Sequence, residues 1–461
     1  MKVSHNTHRI NALHVFGGLA EIVCFGLLYY LFWESNFSEM HTFHYGWGKY
    51  ALIGVYMVLM FWALRFSDGL RFGQLKFTEI LVSQTVSIIG VNIISFFQLS
   101  LIANAFIPVL PGVLFSLVLI FLALVFSYIF TAIYHSVIVP SDFLLIYGSD
   151  NALDFKFKAD GRGKEFKVSK IIRSDVEFGL LCEEILKHEA VVMNDVNSER
   201  RNDILKFCFV NNITAYVVPK ISDILIKGAS NINLFDTPLY DVKINGLSVH
   251  QAFVKRAFDL FVSIMAIILL SPVFIIVPVL IKLEDGGPVF YRQKRVTKNG
   301  KVFEILKFRS MIVNAEEAGV SVPATENDPR ITRTGRFIRA CRIDELPQLF
   351  NILGGSMSIV GPRPERVEHV EKYKSEIPEF AFREKVKGGL TGYAQIFGKY
   401  NTSPYDKIRL DLIYIENYSF LFDLKLIILT IRILFQKEST EGFDKAEELE
   451  KKKQELLKSQ R

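Results

Sequence analysis

The sequence predicts a membrane α plus α/β protein: an N-terminal four-helix transmembrane bundle, a Rossmann-like α/β insert, and a re-entrant membrane helix leading into a mainly helical cytoplasmic domain. Three observations carry this reading. Half of the 461 residues are apolar, with 40 Phe and 17 Tyr, more than soluble domains usually hold. Four apolar segments near the start approach the roughly 20 residues needed to cross a bilayer. Beyond them, short apolar runs alternate with polar, helix-compatible stretches until a fifth long apolar segment begins.

The four spans run from Leu13 to Trp33, Gly48 to Phe66, Phe77 to Ile102 and Pro111 to Tyr134, within a bundle domain of residues 1–138. The first lacks a small-x-small cleavage pattern and is expected to remain as an anchor. Arg65 at the end of the second span and Arg71 and Lys76 after it contrast with Glu34 and Glu39 before it, so the positive-inside rule puts both ends of the bundle in the cytoplasm. Glu21 falls inside the first span, where a neutral or interhelix-bonded carboxyl is expected.

Residues 139–246 read as the α/β insert, with strands at Phe143 to Tyr147, Ala190 to Met193 and Ala215 to Val218 and a helix from Glu199 to Val210. Its first strand ends in Tyr147-Gly148-Ser149-Asp150. A dinucleotide fold needs several glycines there for pyrophosphate to approach the helix start, so a structural or regulatory role is expected. The four cysteines are scattered, without metal-site or disulfide-framework spacing.

The fifth apolar segment, Phe258 to Leu283, has cations on both sides: Lys255 and Arg256 before it, and Lys282, Arg292, Lys294 and Arg295 at or after its end. Both flanks therefore read as cytoplasmic. Ser271 and Pro272 interrupt its middle; the proline breaks the helix, and the serine hydroxyl can meet a freed carbonyl. The segment is expected to enter and return on one face.

Cations then recur: Lys307 and Arg309, followed by Arg330, Arg333, Arg336, Arg339 and Arg342. The three-residue spacing predicts a helix with a basic face aimed at phosphates or lipid headgroups. Two carboxylates, Asp344 and Glu345, end the run, and Pro347 predicts a helix start with Asp344 as its N-cap. Nearby guanidinium groups would keep Asp344 ionised. Such an Asp can attack a phosphoryl group, while Glu345 can hold Mg²⁺. The net charge of +6 fits phosphate or anionic-lipid partners, and no nucleic-acid module is present.

Four strings carry a resemblance: Lys307 to Met311, Asp328 to Arg339, Asp344 to Asn351 and Met357 to Glu365. In this order they resemble the polyprenyl phosphate sugar phosphotransferases, or monotopic phosphoglycosyl transferases, over residues 251–436. The four-helix bundle and insert resemble the long subclass that initiates exopolysaccharide or O-antigen synthesis. The resemblance implies a catalytic domain with Asp344 as nucleophile and Glu345 as Mg²⁺ ligand. Lys307, Arg309, Arg336, Arg339, Arg342 and Arg363 would contact phosphate or nucleotide, and Pro362 and Pro364 would fix the chain around Arg363. Asp411 and Asp423 stand in a later similar string. UDP-sugar, polyprenyl phosphate and membrane lipids are the implied partners. A glycosyltransferase releasing UDP and a noncatalytic scaffold are the competing readings.

The sequence departs from the family's pattern at Gly388, where Pro is usual, at Tyr393, where Trp is usual, and at Lys399, where Arg is usual. These positions bear on sugar identity more than on reaction type. The stretch from Leu421 to Phe435 could lie in the membrane interface, and the charged tail, 437–461, could form a helix that supports a homo-oligomer.

Overall fold

The structure, a computed structural model, describes residues 2–37, 47–137, 141–149, 155–156, 159, 166–242, 246–313, 315, 328–398 and 402–434. Lys399 and the charged tail lie outside the described residues. The chain divides into two compact units at Val218/Pro219.

The first unit opens with helices α1 (Lys2–Phe37), α2 (Gly48–Phe66), α3 (Phe77–Ala103) and α4 (Val109–Val137). All four are long and apolar enough to cross a membrane, and at most 39% of any candidate span is buried within the protein. Most of their apolar surface therefore faces outward, as lipid-facing helices require. Tyr29, Tyr56, Met60, Ile88 and Leu119 fill the interior. Glu21 is fully buried and accepts a hydrogen bond from Gln84 Nε2 at 3.2 Å, and Ser127 Oγ donates to Gln84 Oε1 at 2.7 Å. The carboxyl is thus bonded between helices, as the sequence predicts. The turn after α2 tucks Leu70 and Phe72 into the same core, which its two cations, Arg71 and Lys76, mask in the sequence.

Next come β1 (Ser141–Tyr147), β2 (Phe166–Arg173), α5 (Phe178–Lys187), β3 (Ala190–Asn194), α6 (Ser198–Val210) and β4 (Thr214–Val217). The strands form one parallel sheet in the order β2-β1-β3-β4. Three strands and the helix match expectation; β2 does not, because Lys167, Lys170 and Arg173 give this edge strand a solvated pattern. Leu181 and Ile185 of α5 and Ile204 and Cys208 of α6 cover Leu144, Ile146, Val191 and Met193. Gly148 serves packing: a Cβ there would sit 2.0 Å from the Asp195 carbonyl oxygen.

The second unit begins with α7 (Ile221–Lys227), whose Ile221 and Ile224 belong to that unit's own core. An exposed antiparallel hairpin, β5 (Ser230–Leu234) and β6 (Thr237–Asp241), follows. Then come α8 (Val249–Leu269), α9 (Ser271–Asp285), the hairpin β7 (Phe290–Val296) and β8 (Val302–Phe308), α10 (Arg333–Ala340), α11 (Gln348–Leu353), β9 (Met357–Val360), α12 (Val367–Glu376), β10 (Gly388–Thr391), α13 (Tyr393–Phe397), α14 (Pro404–Glu416) and α15 (Phe420–Leu434). Ile352, Met357, Val360, Phe380, Ile408, Leu412 and Leu426 form the main core.

Helices α8 and α9 bend by 62° at their junction. The turn is closed by Val273 and Phe274 N–H groups donating to the Leu270 carbonyl, not by the Ser271 hydroxyl. Pro272 occupies the first turn of α9, where its missing donor costs no helical bond. Helix α8 is inverted relative to a soluble helix: Lys255 and Asp259 are 5% and 3% exposed, whereas Phe253 and Ile268 are 73% and 63% exposed.

Gly148→Ala should destabilise the parallel sheet by roughly 1–3 kcal/mol through overpacking. Hydrogen exchange at the carboxyl ends of β1 and β3 should accelerate; unchanged protection would contradict the close approach to Asp195.

Candidate active site

The site is assembled by a short segment between α10 and α11. Thr332 caps α10 by accepting the Gly335 N–H at 2.9 Å, and Glu284 accepts the N–H groups of Arg333 (2.7 Å) and Thr334 (3.2 Å). Arg342 ends this helix with φ of 53° and starts a 3₁₀ turn over Ile343–Glu345. Such a conformation is uncommon for a residue with a Cβ. Pro347, not Asp344, occupies the N-cap position of α11. The expected capping role of Asp344 is thereby corrected: the tight turn, closed by Glu345 N–H to the Arg342 carbonyl at 3.2 Å, places Asp344 before the helix start.

Glu345 is the electrostatic centre. Its Oε1 accepts from Lys307 Nζ at 2.7 Å and from Arg363 Nη2 at 2.9 Å. Burial opposes its charge, but Arg363 and Lys307 outweigh burial and hold the carboxyl well below its usual range. Asp344 behaves oppositely. Burial pushes its carboxyl up; Lys307 pulls against that shift, and the neighbouring Glu345 charge adds to it. Burial thus works against the cations that the sequence expects to keep Asp344 ionised, and it is the largest influence on that carboxyl. Among the described residues none donates a hydrogen bond to the Asp344 carboxylate.

Backbone contacts fix both cations. Asn351 of α11 accepts the Leu306 N–H at 2.9 Å and donates to the Glu304 carbonyl at 2.8 Å, fastening β8, and hence Lys307, to the carboxylate segment. Beyond β9, Gly361 N–H donates to the Thr391 carbonyl and Gly389 N–H to the Pro362 carbonyl, at 2.8 and 2.9 Å. A Cβ on Gly361 would lie 2.4 Å from the Lys387 carbonyl oxygen. Arg383 Nη2 donates to the Arg363 carbonyl at 2.8 Å, and Arg295 Nη1 to that of Pro364 at 3.1 Å. Arg363 is therefore held by backbone bonds as well as by its flanking prolines. Arg383 was not singled out from sequence, Arg295 was read only as a flanking cation, and Asn351 only as the end of one of the recognised strings.

Other sequence-selected residues have separate partners. Arg309 forms a two-pronged ion pair with Asp285, with Nη1 2.6 Å from Oδ2, and donates from Nε to the Pro288 carbonyl at 2.7 Å. Asp411 pairs with Arg383 at 2.9 Å, and burial pushes its carboxyl up to about 6. Asp423 accepts from Lys255 at 2.5 Å and from Tyr414 at 2.8 Å. Arg339 reaches Ser310 Oγ at 3.5 Å, and Arg336 is exposed. Ser271 and Pro272 stand at the α8/α9 bend.

Among the described residues no three His, Cys, Asp or Glu side chains converge on a metal position. Glu345 still fits a divalent cation that takes a single protein carboxylate and completes its shell with water and phosphate oxygens. Only Oε1 of Glu345 is engaged by Lys307 and Arg363.

An apolar helix pair whose first helix buries its charges, together with a half-buried carboxylate pair flanked by cations, defines a membrane-associated protein with a candidate site for phosphorylated substrates. The sequence pattern of bacterial sugar transferases matches residues 250–437. The UDP-N-acetylgalactosamine-undecaprenyl-phosphate N-acetylgalactosaminephosphotransferase of Aeromonas hydrophila is 37% identical over 255 residues, covering 54% of this chain and 59% of that protein. The UDP-glucose:undecaprenyl-phosphate glucose-1-phosphate transferase of Klebsiella pneumoniae is 43% identical over 211 residues, 45% of this chain and 43% of that protein. The exopolysaccharide production protein ExoY of Sinorhizobium fredii is 41% identical over 191 residues, which cover 38% of this chain but 83% of that protein. This chain belongs to the bacterial sugar transferase family. It spans about half the length of the first two relatives.

In Glu345→Gln, Lys307 and Arg363 should act on Asp344 without the neighbouring negative charge. The Asp344 carboxyl should then titrate at lower pH than in the parent. Infrared titration with isotope-labelled aspartate reads this, and an unchanged or higher midpoint would contradict the arrangement.

Proposed function

We propose that this chain transfers hexose 1-phosphate from a UDP-sugar to undecaprenyl, or another polyprenyl, phosphate at the cytoplasmic face of the bacterial inner membrane. The products are polyprenyl-diphosphate-sugar and UMP, in the first membrane step of surface polysaccharide synthesis. The observation that carries this reading is Asp344 beside a carboxylate neutralised by Lys307 and Arg363. The names of the relatives support the substrate classes.

An Asp344 oxygen attacks the phosphorus bearing the sugar. The bond from that phosphorus to the bridging oxygen breaks, and UMP leaves with the oxygen and its electron pair. An oxygen of polyprenyl phosphate then attacks the same phosphorus and releases the Asp344 carboxylate. Each exchange forms one P–O bond and breaks another, so no redox partner is required. Lys307 and Arg363 favour the charge gathered on the transferring group. Mg²⁺, held by Glu345, would neutralise diphosphate charge when bound. A half-buried Asp with a raised pKa retains enough basicity to attack and, once ionised, lacks a hydrogen bond from the described residues that would quench it.

The bent α8–α9 pair supports a re-entrant arrangement. Its outward apolar side chains suit lipid, and the buried Lys255 and Asp259 of α8 face the domain. An acceptor phosphate anchored by a lipid chain would then meet a site at headgroup height, while UDP-sugar arrives from water.

With UDP-sugar and Mg²⁺ but no acceptor, the enzyme should release at most one UMP per site and retain a phosphosugar adduct, and Asp344→Asn should do neither. UMP release that waits for lipid, with no trappable adduct, would favour direct transfer; UDP as product would favour an ordinary glycosyltransferase.

Single cysteines at Phe253 and Lys294, in a background lacking the native thiols, should both resist an impermeant periplasmic reagent. Labelling at 294 alone would establish a span. Pro272→Ala should increase the fraction that crosses.

A further inference from the structure

Helix α8 carries two fasteners on one side, spaced as i and i+3 neighbours on a helix face. Arg256 donates from Nη1 to the Ile352 carbonyl at 2.6 Å and from Nη2 to the Leu353 carbonyl at 2.8 Å. These carbonyls end α11, the helix that follows the Asp344-Glu345 turn, and the last carbonyls of a helix lack intrahelical donors. Asp259 Oδ1 accepts the buried Ile359 N–H at 3.0 Å. Ile359 lies in β9, which leads directly to Arg363.

We propose that Arg256 and Asp259 are positioning residues through which the membrane-inserted helix sets the separation of the Asp344-Glu345 segment and Arg363. Each bond goes to backbone, so each fixes an element and not merely a side chain. The two elements meet where Arg363 Nη2 contacts Glu345 Oε1. A tilt of α8 relative to the domain would pull on both arms of that contact. The neighbouring Lys255–Asp423 pair, which also engages Tyr414 of α14, ties the same helix turn to α15 and resists such a tilt. The charged stripe on α8 thus has a use beyond topology: it transmits the seating of the helix in lipid to the reacting groups.

The inference rests on the proposed transfer reaction only for its kinetic arm. Full-length protein in lipid nanodiscs is compared as parent, Asp259→Ala, which removes the acceptor, and Asp259→Asn, which retains one. Hydrogen exchange should quicken over 357–363 in the Ala variant and remain near parent in the Asn variant. Turnover should fall at least about tenfold in Ala while KM for UDP-sugar changes less than about threefold, because displaced reacting groups affect the transition state more than ground-state binding. In an Arg363→Lys background, Asp259→Ala should add little, since both changes act through one contact.

Parent-like exchange and turnover in Ala, equal loss in Asn and Ala, or fully multiplicative loss with Arg363→Lys would each overturn the proposal. If Asp259→Ala does not insert, Arg256→Lys carries the same test. It keeps the charge but reaches one carbonyl instead of two; faster exchange at 352–355 with lowered turnover supports the proposal, and parent behaviour overturns it. A parent enzyme that turns over no UDP-sugar would count against the reaction, while the exchange results would still decide the positioning role.

Discussion

Lys307 of β8 and Arg363 of the segment after β9 converge on one oxygen of Glu345, and much of the second unit serves to keep them there. Burying a lone carboxylate is costly, but removing either partner from a buried cluster is costlier still, because the remaining charges lose their compensation. Lys307 and Arg363 leave the trio with net positive charge beside Asp344. That excess favours an incoming anion and limits the rise that burial imposes on Asp344.

Holding three charges from three chain segments requires rigid backbone, which the surrounding polar side chains provide. Asn351 imitates a strand partner for β8. Arg383 joins the Arg363 carbonyl to Asp411, so Asp411 can influence the site without facing the carboxylate pair. Arg309 closes the end of α9 onto the β7–β8 hairpin through Asp285 and Pro288. Its guanidinium is occupied by protein acceptors, which makes it a brace for the strand that carries Lys307.

The sequence made the four spans, the parallel-sheet domain and the order of charged strings legible because each depends on local pattern. Membrane helices reveal themselves by length and apolarity, and a strand such as Ala190–Asn194 by a continuous buried run. Bonds from side chain to distant backbone leave no comparable trace. Nothing in the spacing of Arg256, Asp259 or Asn351 announces which carbonyl or amide each will meet. The Asp344 cap was misread for a related reason: proline at a helix start signals a boundary, but one proline does not say whether the preceding turn is helical or 3₁₀. Edge strand β2 was missed because its cations resemble a loop.

The two described departures from the family pattern separate physically. Tyr393 packs against Phe397 and Phe422, with ring centroids 4.5 and 5.7 Å away, so a change of aromatic residue there acts first on packing in the domain core. Gly388 stands closer to the chemistry. Its N–H donates to Thr297 Oγ1 at 3.1 Å, a bond proline could not make, and it lines the same small cavity as Pro362 and Arg363. A Cβ on Gly388 would press within 2.5 Å of Pro364 Cγ, so its absence lets the β10 chain lie against the Pro362–Pro364 segment. Gly388 thus bears directly on the placement of Arg363, whereas the Tyr393 ring packs among the aromatic residues Phe397 and Phe422.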